Sequence, residues 1–136
     1  MKLIECVPNI SEGRDKIVIN DIISVLSNFP NIDLLDVDSG YDTNRTVITF
    51  IGPPEDVVNG AFEIIKKSSD LIDMNLHKGE HPRMGATDVC PFIPISGLST
   101  RECINYSLKL AERLGQELKI PVYLYEKSAE INNEPT

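Results

Sequence analysis

The sequence has no tryptophan, only two histidines and three cysteines, and no long apolar run among its 136 residues. No stretch approaches the roughly 18 apolar residues of a membrane-spanning helix, and the first residues lack the apolar core of a signal peptide. The cysteines are odd in number and form no Cys-x-x-Cys pair, which favours free thiols in a reducing compartment. We therefore expect a cytoplasmic protein without a membrane segment.

Basic residues are also scarce. The sequence has 13 Lys and Arg residues and 21 Asp and Glu residues, which gives a formal net charge of −8. This charge repels a phosphate backbone, and no stripe of basic and aromatic residues offsets it, so nucleic acid is not an expected partner. A small anionic ligand remains compatible, because net charge describes the far field and not a single pocket.

What is present resembles an ordinary globular domain. Hydrophobic residues make up 41% and charged residues 25% of the chain, which argues against intrinsic disorder and against a disulfide-rich scaffold. The length fits one domain, without an internal repeat or linker. The last residues, 132–136, are expected to form a frayed or truncated tail.

The first half of the chain predicts three strands and one helix. A short apolar strand spans Leu3–Val7, and a helix follows that ends before Pro30, because its apolar residues recur at helical spacing. Two more strands, Ile32–Val37 and Val47–Ile51, are joined by a polar, turn-rich loop at 38–44. The helical stripe consists of Ile19, Ile22, Ile23 and Leu26.

The second half predicts two more helices and two more strands. One helix begins at Pro53-Pro54, and another begins at the capping box Ser99–Glu102. The apolar run Val89–Ile95 contains two prolines, which cannot donate to a ladder and so place this strand at an edge or a bulge. A last strand is expected at Pro121–Tyr125.

The order of these elements is β-α-β-β-α-β followed by α-β. The first six elements match the split β-α-β order of a ferredoxin-like sheet with helices on one face. The sequence therefore predicts an α+β fold of this type, with an additional α-β unit at its end.

A polar segment at 73–88 is too long to be a simple connection and is the predicted site. It contains two imidazoles, a carboxylate and two cations between His77 and Gly85. His77 to His81 also matches the zinc-hydrolase pattern H-x-x-E-H, which requires a helix. Gly79 and Pro82 disfavour that helix, and no further histidine completes a ligand set, so we expect no metal. The plain alternative is that both histidines are solvated loop residues.

Several segments of the chain carry recognisable motifs. They are residues Glu5 to Gly13, Leu34 to Asp38, Asn44 to Val47, Gly52 to Pro54, His77 to Ala86 and Asp88 to Pro94. Taken together they closely resemble the corresponding segments of glutamate formimidoyltransferases, in register from residue 2 to about residue 131. The resemblance identifies residues 1–131 as the N-terminal subdomain of that family.

The resemblance implies a function in histidine breakdown. It implies transfer of a formimino group from N-formiminoglutamate to N5 of tetrahydrofolate, with His81 as the acid and base and no metal. Asp38 matches a polar residue that lines the family's folate site. Its carboxylate could keep His81 in one tautomer or stabilise the positive charge of the amidinium group. Alternatively, Asp38 could simply close a turn at the end of a strand.

Three further residues are candidates for binding substrate or folate. Arg45 and Arg83 could bind substrate carboxylates, because guanidinium groups do so in a bidentate manner, although either could instead form a surface ion pair. Glu80, between the two histidines, is the third candidate. These residues complete the predicted site.

The length departs from the family, whose members have a second, similar subdomain that helps to enclose the folate. The chain is therefore expected to act as a homodimer or in a complex with a C-terminal subdomain, which would also cover its open sheet face and exposed edge. The alternative is a stand-alone subdomain that binds folate or a partner protein without catalysis.

Overall fold

The computed structural model describes residues 1–74 and 86–120, except the side chain of Asp88. Six strands and three helices are present in these residues. The strands are β1 (Leu3–Cys6), β2 (Asn9–Ile10), β3 (Asp33–Gly40), β4 (Arg45–Gly52), β5 (Thr87–Val89) and β6 (Phe92–Ser96). The helices are α1 (Lys16–Ser24), α2 (Pro54–Leu71) and α3 (Thr100–Arg113), with a 3-10 turn at Val25–Asn28 after α1 and a π turn at Leu114–Leu118 after α3.

The strands form a single antiparallel sheet. β4 pairs with β3 on one side and with β1 and β2 on the other. β6 pairs with β1, and β5 pairs with β2. The order β3, β4, β1, β6 is the split β-α-β arrangement of a ferredoxin-like sheet, so the predicted fold class is confirmed.

Two of the predicted strands are interrupted by prolines. The first strand was expected to end at Val7, but pairing resumes after Pro8 in β2, which pairs with β4 and β5. The run Val89–Ile95 likewise divides into β5 and β6. In both cases proline interrupts the ladder and the chain then rejoins it, because proline supplies no backbone donor. β6 pairs with β1 alone within the described residues, as expected of an edge strand.

The β3–β4 hairpin is longer than the sequence predicted. The expected loop at 38–44 is reduced to a four-residue turn, because β3 continues to Gly40 and β4 already begins at Arg45. Asp38 was expected at a strand end, but it lies within the ladder opposite Val47. The interpretation of Asp38 as a residue that closes a turn is therefore wrong.

All three helices pack on one side of the sheet. Alternate residues of β1 and β4 are buried beneath α2, including Ile4, Ile48 and Phe50, which are 0% exposed. α1 and α3 flank α2, and each helix contributes the apolar stripe that its spacing predicted. The core therefore lies between this helix layer and one face of the sheet, which leaves the other face open.

The helix ends follow local side-chain chemistry. α1 begins after Asp15, whose carboxylate accepts hydrogen bonds from the amides of Ile17 and Val18. The capping box at α3 is confirmed, since Ser99 and Glu102 each accept a hydrogen bond from the other's amide at 3.1 and 3.3 Å. Such caps satisfy amides that have no partner inside the helix.

Some predictions fall on residues that are not described. The strand Pro121–Tyr125, the tail 132–136 and the segment containing His77 to Arg83 lie outside residues 1–74 and 86–120. Within those ranges, no helix has the length and apolar character needed to cross a bilayer.

Candidate active site

The open face of the sheet carries the described part of the predicted site. Ser39 and Thr46 lie on the helix side, where their hydroxyl oxygens are 3.0 Å apart. Thr46 donates its proton to the carbonyl oxygen of Glu12 at 2.5 Å, so Ser39 is the donor to Thr46. Because successive strand residues point to opposite faces, Asp38, which precedes Ser39, points to the open face.

A row of paired residues crosses this face from Asp38. Asp38 pairs with Val47, Val47 with Asn9, and Asn9 with Val89. The row spans three strand spacings, about 14 Å, from β3 to β5. It therefore connects Asp38 to the strand that immediately follows the predicted catalytic segment.

Arg45 lies on the same face, two pairs further along the hairpin. It is the first residue of β4 and pairs with Gly40. It is half-buried, whereas its neighbour Thr46 is 0% exposed on the helix side. Arg45 and Asp38 are thus diagonal neighbours on the open face, a separation of roughly 7 to 8 Å between backbones that long side chains can bridge.

Two hydrogen bonds between backbone and side-chain groups hold the rim of the face beside Arg45. The Gly13 amide donates to the Asn44 side-chain oxygen at 2.8 Å, and Asn44 has a positive φ of 51°, a conformation that asparagine tolerates in turns. Arg14 Nε donates to the Tyr41 carbonyl oxygen at 2.8 Å, and its guanidinium lies 5.0 Å from the Tyr41 ring. These contacts fasten the loop before α1 to the β3–β4 turn.

Gly13 has a steric role in this rim. A Cβ atom at Gly13 would collide with the Gly40 carbonyl oxygen and with the backbone of Arg45. Only glycine lets the loop approach the hairpin this closely. The Gly13 backbone therefore lies in direct contact with both strands of the hairpin, at Gly40 and Arg45.

The predicted catalytic segment returns to the sheet at this same end. The amide of Ser11 donates to the carbonyl oxygen of Ala86 at 2.8 Å, and Thr87 then pairs with Ile10. The chain that follows residue 85 is therefore fixed beside β2. Glu80, His81 and Arg83 lie outside the described residues, so their positions relative to Asp38 and Arg45 stay predictions.

Two polar residues on the open face were given no role by the sequence reasoning. Asn9 lies in the row between Val47 and Val89, and its side-chain amide donates to the Val7 carbonyl oxygen at 3.2 Å. Glu5 lies between Ile51 and Ile93. The alternation of buried and exposed positions from Leu3 to Ile10 is the signal that could have assigned both residues to this face.

Metal binding receives no support from the described residues. Residues 1–74 and 86–120 contain no group of three or more His, Cys, Asp or Glu side chains arranged to hold an ion. The histidine pair that raised the question lies outside these ranges, so the expectation of no metal stays a prediction.

The fold and this face define a ferredoxin-like α+β subdomain in which helices cover one face of the sheet and the other face is open. The chain matches the family model described as the formiminotransferase domain, N-terminal subdomain, over residues 3–136. The chain therefore belongs to the formiminotransferase family and corresponds to that subdomain.

Relatives agree with this assignment. The rat formimidoyltransferase-cyclodeaminase is 53% identical over 135 residues, which cover 99% of this chain and 25% of the relative. Glutamate formimidoyltransferases from Streptococcus pyogenes and Thermoplasma acidophilum are 47% and 44% identical, over 94% and 96% of this chain and 43% of each relative. The chain thus spans between a quarter and less than half of the length of these relatives.

Proposed function

We propose that the chain supplies the N-terminal part of a glutamate formimidoyltransferase. The reaction is transfer of a formimino group from N-formiminoglutamate to N5 of tetrahydrofolate, in the breakdown of histidine. The observation that carries the proposal is the match to relatives of that name, which extends over 94% of the chain at 47% identity. Tetrahydrofolate acts as a co-substrate, and the reaction as proposed needs no metal.

The chemistry requires one group that both accepts and donates a proton. The folate N5 attacks the amidine carbon and loses its proton, and the glutamate nitrogen must gain a proton as its bond to that carbon breaks. An imidazole with a pKa near 6.5 can take the first proton and deliver the second. We assign this role to His81.

Asp38 is proposed to bind folate or to stabilise positive charge at the reaction centre. Its carboxylate lies on the open face, opposite Val47 within the hairpin, on a backbone that is held rigidly by its ladder. A carboxylate at this place can accept hydrogen bonds from a pterin or stabilise an amidinium cation. Orientation of the His81 ring is the other role proposed for this carboxylate.

Arg45 and Arg83 are proposed to bind the carboxylates of formiminoglutamate or of folate. A guanidinium group binds a carboxylate through two parallel hydrogen bonds. Arg45 is half-buried on the same face as Asp38, so it can present its charge to a ligand that Asp38 also contacts. Glu80, next to His81, is proposed as a further ligand contact.

The open face is proposed to be completed by more protein. Apolar side chains lie on this face beside the polar row. Leu3 and Ile51 are half-buried, and Ile93 is 41% exposed. A C-terminal subdomain or a second copy of the chain would cover these apolar residues and enclose a bound folate. Light scattering at micromolar concentration is expected to show a dimer or hetero-complex, and a monodisperse monomer would contradict this expectation.

The decisive experiment is substitution of His81 in a protein that contains both subdomains. His81→Ala should lower the transfer rate by about 100- to 10,000-fold, the range for loss of a general acid or base. Folding and folate binding should be nearly unchanged, because the sequence predicts a polar loop at His81, where truncation of a side chain opens no large cavity. The wild-type rate should fall as the pH drops through the imidazole range.

His77→Ala is the matched control. It removes the same side chain from the same segment and should reduce transfer less than His81→Ala. Equal and small losses in both variants would mean that the segment has no catalytic role. Tight folate binding without any turnover in the complete protein would instead favour a binding module.

A further inference from the structure

Two cysteine thiols meet beneath the helix layer, where the proposed transfer reaction does not use them. The sulfur atoms of Cys6 and Cys90 lie 3.4 Å apart. Cys6 is the last residue of β1, and Cys90 is in the connection between β5 and β6. The structure therefore brings together two thiols that lie far apart in the sequence.

The backbone holds these two residues in place. Cys6 pairs with Phe92, which follows Cys90 by two residues. The Val7 amide donates to the Pro91 carbonyl oxygen at 3.1 Å, which joins the two segments directly beside the thiols. A disulfide needs its sulfur atoms about 2.05 Å apart, so they must approach by roughly 1.4 Å, a distance that side-chain rotation can largely supply.

The two thiols differ in accessibility. Cys6 is 0% exposed, and burial, together with its hydrogen bond to Cys90, raises its pKa well above the ordinary thiol value. Cys6 is therefore a neutral thiol at physiological pH, and either sulfur atom can be the donor in this hydrogen bond. Cys90 is half-buried, so a small oxidant in solution reaches Cys90 first.

We propose that Cys6 and Cys90 form a reversible disulfide when the protein meets a peroxide, with Cys90 as the sulfur that is attacked and Cys6 as the resolving thiol. The site is a thiol modification site on the helix side of the sheet, separate from the open face. It does not depend on the transferase activity.

The reaction balances in two steps. In the first, the Cys90 sulfur attacks one peroxide oxygen, the O–O bond breaks, and Cys90 sulfenic acid and water form. In the second, the Cys6 sulfur attacks the Cys90 sulfur, and the sulfenic hydroxyl leaves as water with the proton of Cys6. The two thiols are oxidised by two electrons in total, and the peroxide is reduced. A dithiol reductant reverses the change by thiol exchange.

Proximity offsets the weak acidity of Cys6. A buried thiol is a poor nucleophile toward a partner in solution, but a thiol held in contact with its target gains an effective molarity on the order of 10⁵ M or more. The sulfenic acid at Cys90 is thus expected to be captured by Cys6 before further oxidation. The resulting disulfide links the connection that follows β5 to the end of β1.

Cys103 is the internal control. It is 2% exposed on α3, and burial raises its pKa to about 11. Within the described residues it has no sulfur partner at hydrogen-bonding distance. A thiol of similar burial without a sulfur in hydrogen-bonding contact should stay reduced under the same treatment.

The test starts with the wild-type protein and hydrogen peroxide. Free thiols should fall from three to one, the mass should drop by two hydrogen atoms, and peptide mapping should join Cys6 to Cys90. Dithiothreitol should restore all three thiols. Three unreacted thiols, a sulfinic acid at Cys90, or a cross-link to Cys103 or to another chain would each overturn the proposal.

Variants separate the roles of the two sulfurs. Cys103→Ala should form the disulfide at the wild-type rate, and Cys90→Ser should lose no thiol to disulfide formation. Cys6→Ser should instead accumulate the sulfenic acid at Cys90, which a cyclic diketone traps as a stable adduct. If Cys6→Ser fails to fold by circular dichroism, the wild-type mapping still decides. Trapping of equal amounts from wild type and Cys6→Ser would contradict the resolving role of Cys6.

Discussion

The two faces of the sheet come from the same strands but have opposite chemistry. On the helix side, Ile4, Ile48 and Phe50 are fully buried in the core. On the open side, the neighbouring positions include Asp38 and Arg45, which are exposed and half-buried. The alternation of side chains along each strand separates these two environments.

This difference means that adjacent residues contribute to different properties of the protein. A substitution on the helix side should act mainly on the free energy of unfolding, since it disturbs a packed core. A substitution on the open side should act mainly on ligand or partner binding. Ile48 and Ile51 in β4 test this separation with a single residue type.

The largest expected effect is that of Ile48→Ala. Ile48 is 0% exposed, so the substitution should lower the free energy of unfolding by about 2 to 5 kcal/mol, from lost burial and a residual cavity. Ile51→Ala, on the open face, should lower it by about 1 kcal/mol, since its partly exposed side chain leaves no closed cavity. Urea unfolding of both variants measures the difference.

Equal losses of unfolding free energy in the two variants would contradict the proposed difference between the two faces. The expected reason would be that the open face is covered in solution, so that Ile51 is buried as deeply as Ile48. Repeating the urea titration over a range of protein concentrations distinguishes this case, because a face covered by a second chain makes stability depend on concentration.

The second effect is a loss of stability at alkaline pH that originates on the helix side. Burial raises the pKa of Cys103 from 9.0 to about 11. Between these values the unfolded chain has lost the thiol proton while the folded chain retains it. The unfolded state then binds fewer protons, so stability decreases as the pH rises from 9 to 11, by up to roughly 2 to 3 kcal/mol in total.

Thermal unfolding between pH 8 and 11 measures this loss. Cys103→Ala should have a flatter pH dependence, because it removes the titrating group while other alkaline titrations stay the same. Cys6 contributes in the same direction, since its pKa is also raised by burial. An unchanged slope in Cys103→Ala would assign the alkaline loss to other groups.

The third effect concerns the helix layer itself. Ser99→Ala removes the side-chain half of the capping box at α3, in which Ser99 Oγ accepts from the Glu102 amide at 3.1 Å. We expect a loss of about 1 kcal/mol in unfolding free energy. Ser24→Ala is the control, because Ser24 ends α1 and its hydroxyl donates to the Asp21 carbonyl oxygen, so it caps no amide. Similar losses in both would argue against a specific capping contribution.

The fold could be predicted from the sequence because its signals are local. Helical spacing, the capping box and the proline pair at the start of α2 indicated the type and order of the elements. The boundaries of the hairpin could not be predicted, because Asp38, Ser39 and Gly40 have low strand propensity. Their pairing with Val47, Thr46 and Arg45 extends the ladder, and tertiary contacts override that propensity.

The site was predicted less completely. The resemblance to the family selected Asp38, and guanidinium chemistry selected Arg45, but only the pairing register shows that they share one face. The contact between Cys6 and Cys90 could not be predicted, because it depends on how a strand interrupted by proline rejoins the sheet. Cysteine spacing along the sequence contains no such information.

The smallest expected effect on stability is that of Asp38→Asn, on the open face. Asp38 is exposed on the outer strand β3, so the unfolding free energy should change by no more than about 0.5 kcal/mol. Transfer by the complete enzyme should nevertheless fall about 10- to 100-fold in kcat/KM, the effect expected from loss of a hydrogen bond to a charged group.

Asp36→Asn is the matched control, because Asp36 lies on the same strand and the same face, where it pairs with Thr49. Asp36→Asn should leave both stability and transfer nearly unchanged. If the two variants reduce transfer equally, the general negative charge of the face is responsible, and Asp38 has no specific contact with folate or with the reaction centre.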